Sequence, residues 1–160
     1  MFEDQTFVIV GASLTGAKAA EELRERGFEG RIVLIGAEHE RPYERPPLSK
    51  DYLRGEKEEK PFVHDEGFYT EKDIELRTGV EATAIDPLGS TVTLGDGETI
   101  EFERLLIATG AEPRKLDLPG ADLDGVVYLR TVGDSDALGA RFGDGVRVVV
   151  VGAGWIGSEV

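Results

Sequence analysis

A glycine turn between an apolar strand and an amphipathic helix is the feature that most constrains the fold of this chain. Thr6–Val10 (TFVIV) is almost wholly apolar and rich in β-branched residues, which predicts a buried parallel strand. The turn Gly11–Gly16 follows, and residues 17–26 place their apolar side chains at helical spacing. Arg31–Ile35 (RIVLI) predicts a second buried strand. Together these segments predict a βαβ unit.

The first glycine turn also predicts a site for a dinucleotide. Gly11 and Gly16 stand at the first and last glycine positions of the pattern G-x-G-x-x-G, and Ser13 replaces the middle glycine. Such a turn lets the backbone approach a pyrophosphate, which the amides and the helix dipole then bind. Glu38, after the second strand, offers a carboxylate to the adenosine ribose. The alternative is a turn that serves only the packing of a doubly wound fold.

The middle of the chain predicts a rigid loop and then a short helix. Residues 36–60 are densely charged, and Pro42, Pro46 and Pro47 restrict their backbone, which predicts a loop with a defined path. The loop is followed by a predicted helix at Phe62–Lys72.

Four strands are predicted after this helix. Ile74–Arg77 and Val80–Asp86 have the composition of strands, and Thr91–Leu94 and Thr99–Phe102 flank a hairpin turn at Gly95–Gly97. These segments predict an antiparallel β-meander inserted into the α/β unit.

The last third of the chain repeats the pattern of an apolar strand before a glycine turn. Arg104–Ala108 (RLLIA) predicts another buried strand. Residues 111–145 are mostly loops, with a helix near Ser135–Arg141. Val146–Val151 (VRVVVV) then predicts the strand that opens a second βαβ unit.

The second glycine turn carries the complete pattern G-x-G-x-x-G, with Gly152, Gly154 and Gly157. Two such turns in one chain predict two adenine dinucleotides, and the natural pair is FAD with a nicotinamide nucleotide. Trp155, inside the turn, is expected to pack between a helix and the sheet, and the alternative is that it braces the nicotinamide site.

The predicted fold class is therefore α/β, a Rossmann-like doubly wound parallel sheet with an inserted antiparallel β-meander and a truncated C-terminal part. Residues 1–113 are expected to form the first part of an FAD-binding domain, and residues 114–145 a connecting segment. Residues 146–160 are expected to start an NAD(P)-binding domain that is cut off.

Composition removes several classes of function. The 160 residues carry a formal net charge of -14, which disfavours binding to nucleic acid and to anionic membranes. The absence of cysteine excludes disulfides, thiolate metal sites and a redox-active dithiol, and no metal site is predicted. No signal peptide and no apolar run long enough for a membrane helix is apparent, so a cytoplasmic location is expected.

Three further segments resemble a known family. They are Arg41–Lys50 (RPYERPPLSK), Ile107–Ala111 (IATGA) and Tyr128–Thr131 (YLRT). With the two glycine turns, they make the chain similar to the FAD-dependent pyridine nucleotide oxidoreductases. The closest likeness is to the branch of ferredoxin, rubredoxin and putidaredoxin reductases.

The resemblance implies roles for individual residues. The first turn and Glu38 would hold the ADP part of FAD, and the second turn would receive the pyrophosphate of NAD(P)H. Lys50 and Glu159 would pair beside the flavin and are the candidate catalytic residues. The candidate cofactor-binding residues are Gly11, Ala12, Ser13, Leu14, Thr15, Gly16, Glu38, Arg45, Lys50, Val80, Ala108, Thr109, Gly110, Arg130, Gly152, Gly154 and Gly157.

Simpler interpretations of the charged residues remain open at this point. Lys50 can be a solvated loop lysine, and Glu159 an exposed helix residue. Arg45 can form a surface ion pair with Glu44 or Asp51.

The function implied by the resemblance is transfer of electrons from NAD(P)H through FAD to a small iron–sulfur protein, ferredoxin or rubredoxin. This partner would serve an oxygenase or a cytochrome P450. The alternatives are a flavin-binding redox sensor of the apoptosis-inducing-factor type and an NADH oxidase. Because ferredoxins are usually acidic, a local basic patch is expected, formed either by Arg41, Arg45, Lys50 and Arg54 or by Arg114 and Lys115. We expect the chain to be an N-terminal fragment that is inactive alone.

Overall fold

The computed structural model describes residues 4–57 and 59–160. The described chain divides into two compact units. The first contains the described residues up to Tyr43 together with Phe62–Gly110. The second contains the described residues of Glu44–Pro61 together with Ala111–Val160. Within the described ranges, no helix is both long enough and apolar enough to cross a membrane.

Most of the regular structure lies in the first unit. In chain order its elements are β1 Thr6–Val10, α1 Leu14–Glu25, β2 Arg31–Gly36, α2 Phe68–Glu71, β3 Ile74–Thr78, β4 Ala82–Asp86, β5 Thr91–Leu94, β6 Thr99–Glu101 and β7 Arg104–Ile107. The second unit contains a 3₁₀ helix and two α-helices, which are Pro46–Ser49, α3 Val132–Gly139 and α4 Trp155–Glu159.

A parallel four-stranded sheet forms the centre of the first unit, in the order β3-β2-β1-β7. Most apolar side chains of the two middle strands are buried, and Ile9 and Leu34 are fully so. α1 covers one face of the sheet through Ala17 and Ala20, whose small side chains allow close approach. The βαβ unit and the Rossmann-like α/β class are therefore confirmed.

The antiparallel meander covers the opposite face of this sheet. Its strands lie in the order β4-β5-β6, and Val92 and Leu94 pack against Val8 and Val33 of the parallel sheet. The predicted meander is confirmed, with one correction. Ile74–Thr78 does not belong to it but pairs in parallel with β2, and Ile74 lies in the same apolar cluster as Tyr69 of α2.

The helix predicted at Phe62–Lys72 is wrong in its extent, because only Phe68–Glu71 is helical. The backbone at the start of the predicted segment pairs with the preceding loop instead. The N–H of Val63 donates to the carbonyl of Pro42 at 2.9 Å. A helix can begin only after this backbone pairing has ended.

Two apolar segments that were predicted as buried strands are exposed, which corrects the sequence-based expectation. β7 lies at the edge of the sheet, and its Ile107 is 60% exposed. Residues 146–151 form no strand with any described residue, and Val149 is 87% exposed. Trp155, which was expected to be packed, is 88% exposed. An apolar run is buried only where a neighbour covers it, and the described residues cover these segments poorly.

Candidate functional site

The first glycine turn has a backbone that only glycine can form at its two ends. Gly11 adopts a positive φ of +121°, and a Cβ there would overlap the carbonyl oxygen of Ala108. A Cβ at Gly16 would overlap the carbonyl oxygen of Gly11. Both glycines are thus required by the close approach of the turn to the end of β7 and to itself.

The amides at the head of α1 are available to an anion. The N–H of Gly11 donates to Ile35 at 2.8 Å, and that of Ala17 donates to Ser13 at 2.9 Å. Between them, the amides of the first helical residues have no acceptor within the helix. The side chain of Ser13 makes no capping hydrogen bond, so it leaves these donors free. Their orientation and the helix dipole suit a diphosphate.

Glu38 lies beyond the end of β2 and is held in place by its neighbours. The hydroxyl of Tyr43 donates to Glu38 Oε2, and the N–H of Gly79 donates to the Glu38 carbonyl at 2.8 Å. The half-buried position suits a carboxylate that accepts from a ribose. Sequence reasoning did not single out Tyr43, although its place in the RPYERPPLSK segment could have drawn attention to it.

Two more predicted contact segments lie at the same edge of the parallel sheet, since each follows the carboxyl end of a strand. After β3, the N–H of Val80 donates to the carbonyl of Gly36 at 2.9 Å. After β7, the N–H of Ala108 donates to Val10 at 2.7 Å, while Thr109 and Gly110 are exposed. The first unit therefore gathers its candidate residues at the edge where open α/β sheets bind nucleotides.

In the second unit, Lys50 and Glu159 lie close together. Lys50 Nζ is 3.4 Å from Glu159 Oε1, and the hydroxyl of Ser49 donates to Glu159 Oε2 at 2.5 Å. The hydrogen bond from Ser49, followed by the contacts of Lys50, holds the pKa of Glu159 below its ordinary value. Ser49 was missed by sequence reasoning, because a serine beside a lysine carries no chemical signature of its own.

Arg45 reaches the backbone of a distant segment. Its Nη1 donates to the carbonyl of Arg130 at 2.7 Å, and the amide of Arg130 in turn donates to Asp134 Oδ2 at 3.0 Å. Asp134 and Thr131 form a capping box at the start of α3. The proline-rich loop and the Tyr128–Thr131 segment are thus joined through one guanidinium.

The second glycine turn has the same local shape as the first. Gly152 has φ +115°, and a Cβ at Gly157 would overlap the carbonyl oxygen of Gly152. The extended residue before α4 is Gly154, and the N–H of Ser158 donates to its carbonyl at 3.0 Å. This turn can also present amides to a diphosphate.

The basic residues considered for a partner contact differ in exposure and pairing. Arg114 and Lys115 are exposed, whereas Arg54 is paired with Asp51 and Glu56. Across residues 4–57 and 59–160, no group of three or more His, Cys, Asp and Glu side chains could hold a metal ion.

Comparison with known proteins places these features in a family. The family model described as pyridine nucleotide-disulphide oxidoreductase matches residues 5–160. The benzene 1,2-dioxygenase system ferredoxin–NAD(+) reductase subunit of Pseudomonas putida is 44% identical over 152 residues, covering 95% of this chain and 37% of that protein. A ferredoxin–NAD(P)(+) reductase of a Sphingomonas species is 43% identical over 153 residues, again covering 95% and 37%.

Solved structures agree with the sequence comparisons. The ferredoxin reductase for the CYP199A2 system of Rhodopseudomonas palustris is 42% identical with a TM-score of 0.91, and the match covers 98% of this chain and 39% of that one. The chain thus spans under two-fifths of the length of these relatives. The resemblance to the ferredoxin and putidaredoxin reductase branch is confirmed. With its two glycine turns and a family match over nearly all of its residues, the chain belongs to the pyridine nucleotide-disulphide oxidoreductase family.

Proposed function

We propose that this chain supplies the FAD-binding part of an NAD(P)H-dependent reductase. The reductase passes electrons to a small iron–sulfur protein, ferredoxin or rubredoxin, for an oxygenase or cytochrome P450 system. The observation that carries the proposal is the Gly11–Gly16 turn, where glycine-only packing leaves the α1 amides available at the carboxyl edge of the sheet. The names of the relatives, which include ferredoxin reductases of dioxygenase systems, support the same activity.

The residues of the first unit fit the ADP part of FAD. The amides at 12–16 bind the diphosphate, Glu38 accepts from the ribose, and the Val80 backbone faces adenine. Thr109 and Gly110 pass close to the cofactor. Glu38 is already oriented by Tyr43, so little conformational freedom is lost when the ribose binds.

The residues of the second unit supply charge and orientation. FAD, when bound, supplies the electron-transfer chemistry between NAD(P)H and the acceptor. Lys50 places a positive charge near the flavin, and Glu159, whose Oε1 lies 3.4 Å from Lys50 Nζ, is its ion-pair partner. Arg45 and Arg130 contact the cofactor, and Gly152, Gly154 and Gly157 receive the diphosphate of NAD(P)H.

The arrangement along the chain follows from these roles. Residues 1–113 are proposed as the first part of the FAD-binding domain, 114–145 as a connection and 146–160 as the start of the NAD(P)-binding domain. The exposed Arg114 and Lys115 provide a basic contact for an acidic ferredoxin. We place the protein in the cytoplasm, and we expect no turnover from these 160 residues alone.

Titration of the purified chain with FAD, followed by quenching of flavin fluorescence, tests the proposal. Glu38→Gln should weaken binding about tenfold, since it removes a charged hydrogen-bond acceptor worth about 1.4 kcal/mol. Glu25→Gln, which removes the same charge from the exposed side of α1, is the matched control and should bind like the unaltered chain. Equal weakening by both variants, or no binding by the unaltered chain, would contradict the proposal.

Acceptor choice needs a separate assay on a polypeptide that carries this region and turns over. Reduction of cytochrome c by NAD(P)H should depend strongly on added ferredoxin. Rapid oxygen consumption without ferredoxin would instead favour an NADH oxidase, and slow turnover with every acceptor would favour a redox sensor.

A further inference from the structure

Ser49 is the best-placed neighbour of the Glu159 carboxylate. It is the last residue of the 3₁₀ helix and only 5% exposed, and its hydroxyl donates to Glu159 Oε2 at 2.5 Å. Lys50, the next residue, approaches the other oxygen of the same carboxylate. Two consecutive residues therefore hold the two oxygens of one carboxylate.

We propose that Ser49 is a positioning residue, which fixes Glu159 so that Oε1 faces Lys50. Ser49, Lys50 and Glu159 all lie in the second unit. The consequence of this positioning, an ion pair of fixed geometry beside the flavin, rests on the proposed function. If the carboxylate rotated freely, the distance from its oxygens to Lys50 Nζ would vary, and the electrostatic field at the lysine would vary with it.

The hydroxyl is better suited to this task than the ammonium group. Lys50 has 46% of its side chain exposed, and its Nζ–Oε1 distance of 3.4 Å is longer than a strong charged hydrogen bond. Water and salt weaken such a pair, and a flexible lysine stem defines direction poorly. The short contact of the buried Ser49 defines direction well.

The backbone that carries Ser49 is itself restrained. The hydroxyl of Ser135, on α3, donates to the carbonyl of Leu48 at 2.8 Å, and both residues are buried. The rings of Pro46 and Pro47 fix the φ angles of these two residues, which begin the same 3₁₀ helix. The Ser49 hydroxyl therefore starts from a fixed backbone position.

The test is a titration of the Glu159 side-chain carboxyl carbon by NMR, on the chain without any nucleotide. The pKa of Glu159 should rise in Ser49→Ala, and by more than in Lys50→Met. Ser49→Thr, which retains the hydroxyl, should keep the low pKa. Ser158→Ala is the matched control, because it removes a hydroxyl from the residue next to Glu159 that bonds only the Gly154 carbonyl. It should leave the titration unchanged.

An unchanged pKa in Ser49→Ala, or a rise no larger than in Lys50→Met, would overturn the proposal. If Ser49→Ala fails to fold, the unaltered chain still gives an answer. Transfer from H₂O to D₂O should shift the Glu159 carboxyl signal more than that of the exposed Glu25, because Glu159 accepts a hydrogen bond from the Ser49 hydroxyl. Equal shifts would contradict the proposal. Since no FAD is present, these results are independent of whether the chain binds flavin.

Discussion

The two glycine turns share a local shape but differ in their surroundings. In each, the first glycine has a positive φ near the same value, +121° at Gly11 and +115° at Gly152, and the last glycine closes against it. A Cβ at Gly11 would meet the end of β7, whereas a Cβ at Gly152 would meet nothing within 4 Å. The first turn is therefore held by a sheet, whereas no described residue packs against the first glycine of the second turn.

The sequence of a glycine turn sets its local shape, whereas the strands beside it hold that shape in place. The strand before the first turn is buried, with Val8 and Ile9 each 1% exposed, while Val149 and Val151 before the second are 87% and 78% exposed. Glycine placement is enough to set the shape of a turn. Holding that shape rigid against a ligand requires paired strands on either side.

Hydrogen exchange should show the largest contrast between the two regions. The amides of Gly11 and Ala108, which bond across the parallel sheet, should exchange at least about a thousandfold more slowly than those of Val149 and Val151. Exchange measured residue by residue by NMR gives the comparison directly. Similar protection at both turns would contradict the expected difference in rigidity.

Alanine at the first glycine of each turn should give the next largest effect. Gly11→Ala should lower the free energy of unfolding by about 3 kcal/mol or more, because strain in φ is added to an overlap with Ala108. Gly152→Ala, which suffers only the strain, should cost about 1–2 kcal/mol. Urea denaturation measures both. Equal losses would show that the second turn is packed as firmly as the first.

Glu75 helps to hold the sheet behind the first turn, because its ion pair with Arg31 joins β3 to β2. Burial raises the pKa of Glu75, but hydrogen bonds from Arg31 and Arg77 outweigh it and hold the pKa below the ordinary value. Glu75→Gln should cost about 0.5–1 kcal/mol at pH 7, a modest figure because the pair is partly exposed.

The stability lost in Glu75→Gln should depend on pH. A lowered carboxyl pKa stabilises the fold above the ordinary pKa of glutamate, and the stabilisation is lost as pH falls through the folded-state pKa. The difference between Glu75→Gln and the unaltered chain should therefore shrink in acid. Glu101→Gln, on the exposed side of β6, should show little effect at any pH. A loss from Glu75→Gln that grows in acid would contradict this account.

Ser13→Gly, which completes the glycine pattern of the first turn, should have the smallest effect. Because Ser13 makes no capping hydrogen bond, its replacement should change stability by only a few tenths of a kcal/mol. Thermal unfolding of the two chains measures this. A loss of about 1 kcal/mol or more would show that the hydroxyl caps α1 in solution.

Sequence patterns predicted the elements whose neighbours are close in the chain. β1, α1 and β2 follow from apolar periodicity and glycine placement, and the hairpin of β5 and β6 follows from its turn. The exposure of β7 and of residues 146–151 was missed, because an apolar run shows that a segment can be buried but not what covers it.

The candidate site was predictable to a similar degree. The glycine turns have a backbone signature, and the proximity of Lys50 and Glu159 followed from the family resemblance. Tyr43 and Ser49 act through hydrogen bonds that depend on tertiary placement, so no spacing in the sequence revealed them.

An NMR titration of the labelled chain with ADP compares the two turns as diphosphate sites, because ADP carries the diphosphate, ribose and adenine without the flavin. The amides of residues 12–16 should shift first and most, with smaller changes at 152–157, since only the first turn is held by paired strands. Shifts confined to the second turn, or none at residues 12–16 at saturating ADP, would contradict the account.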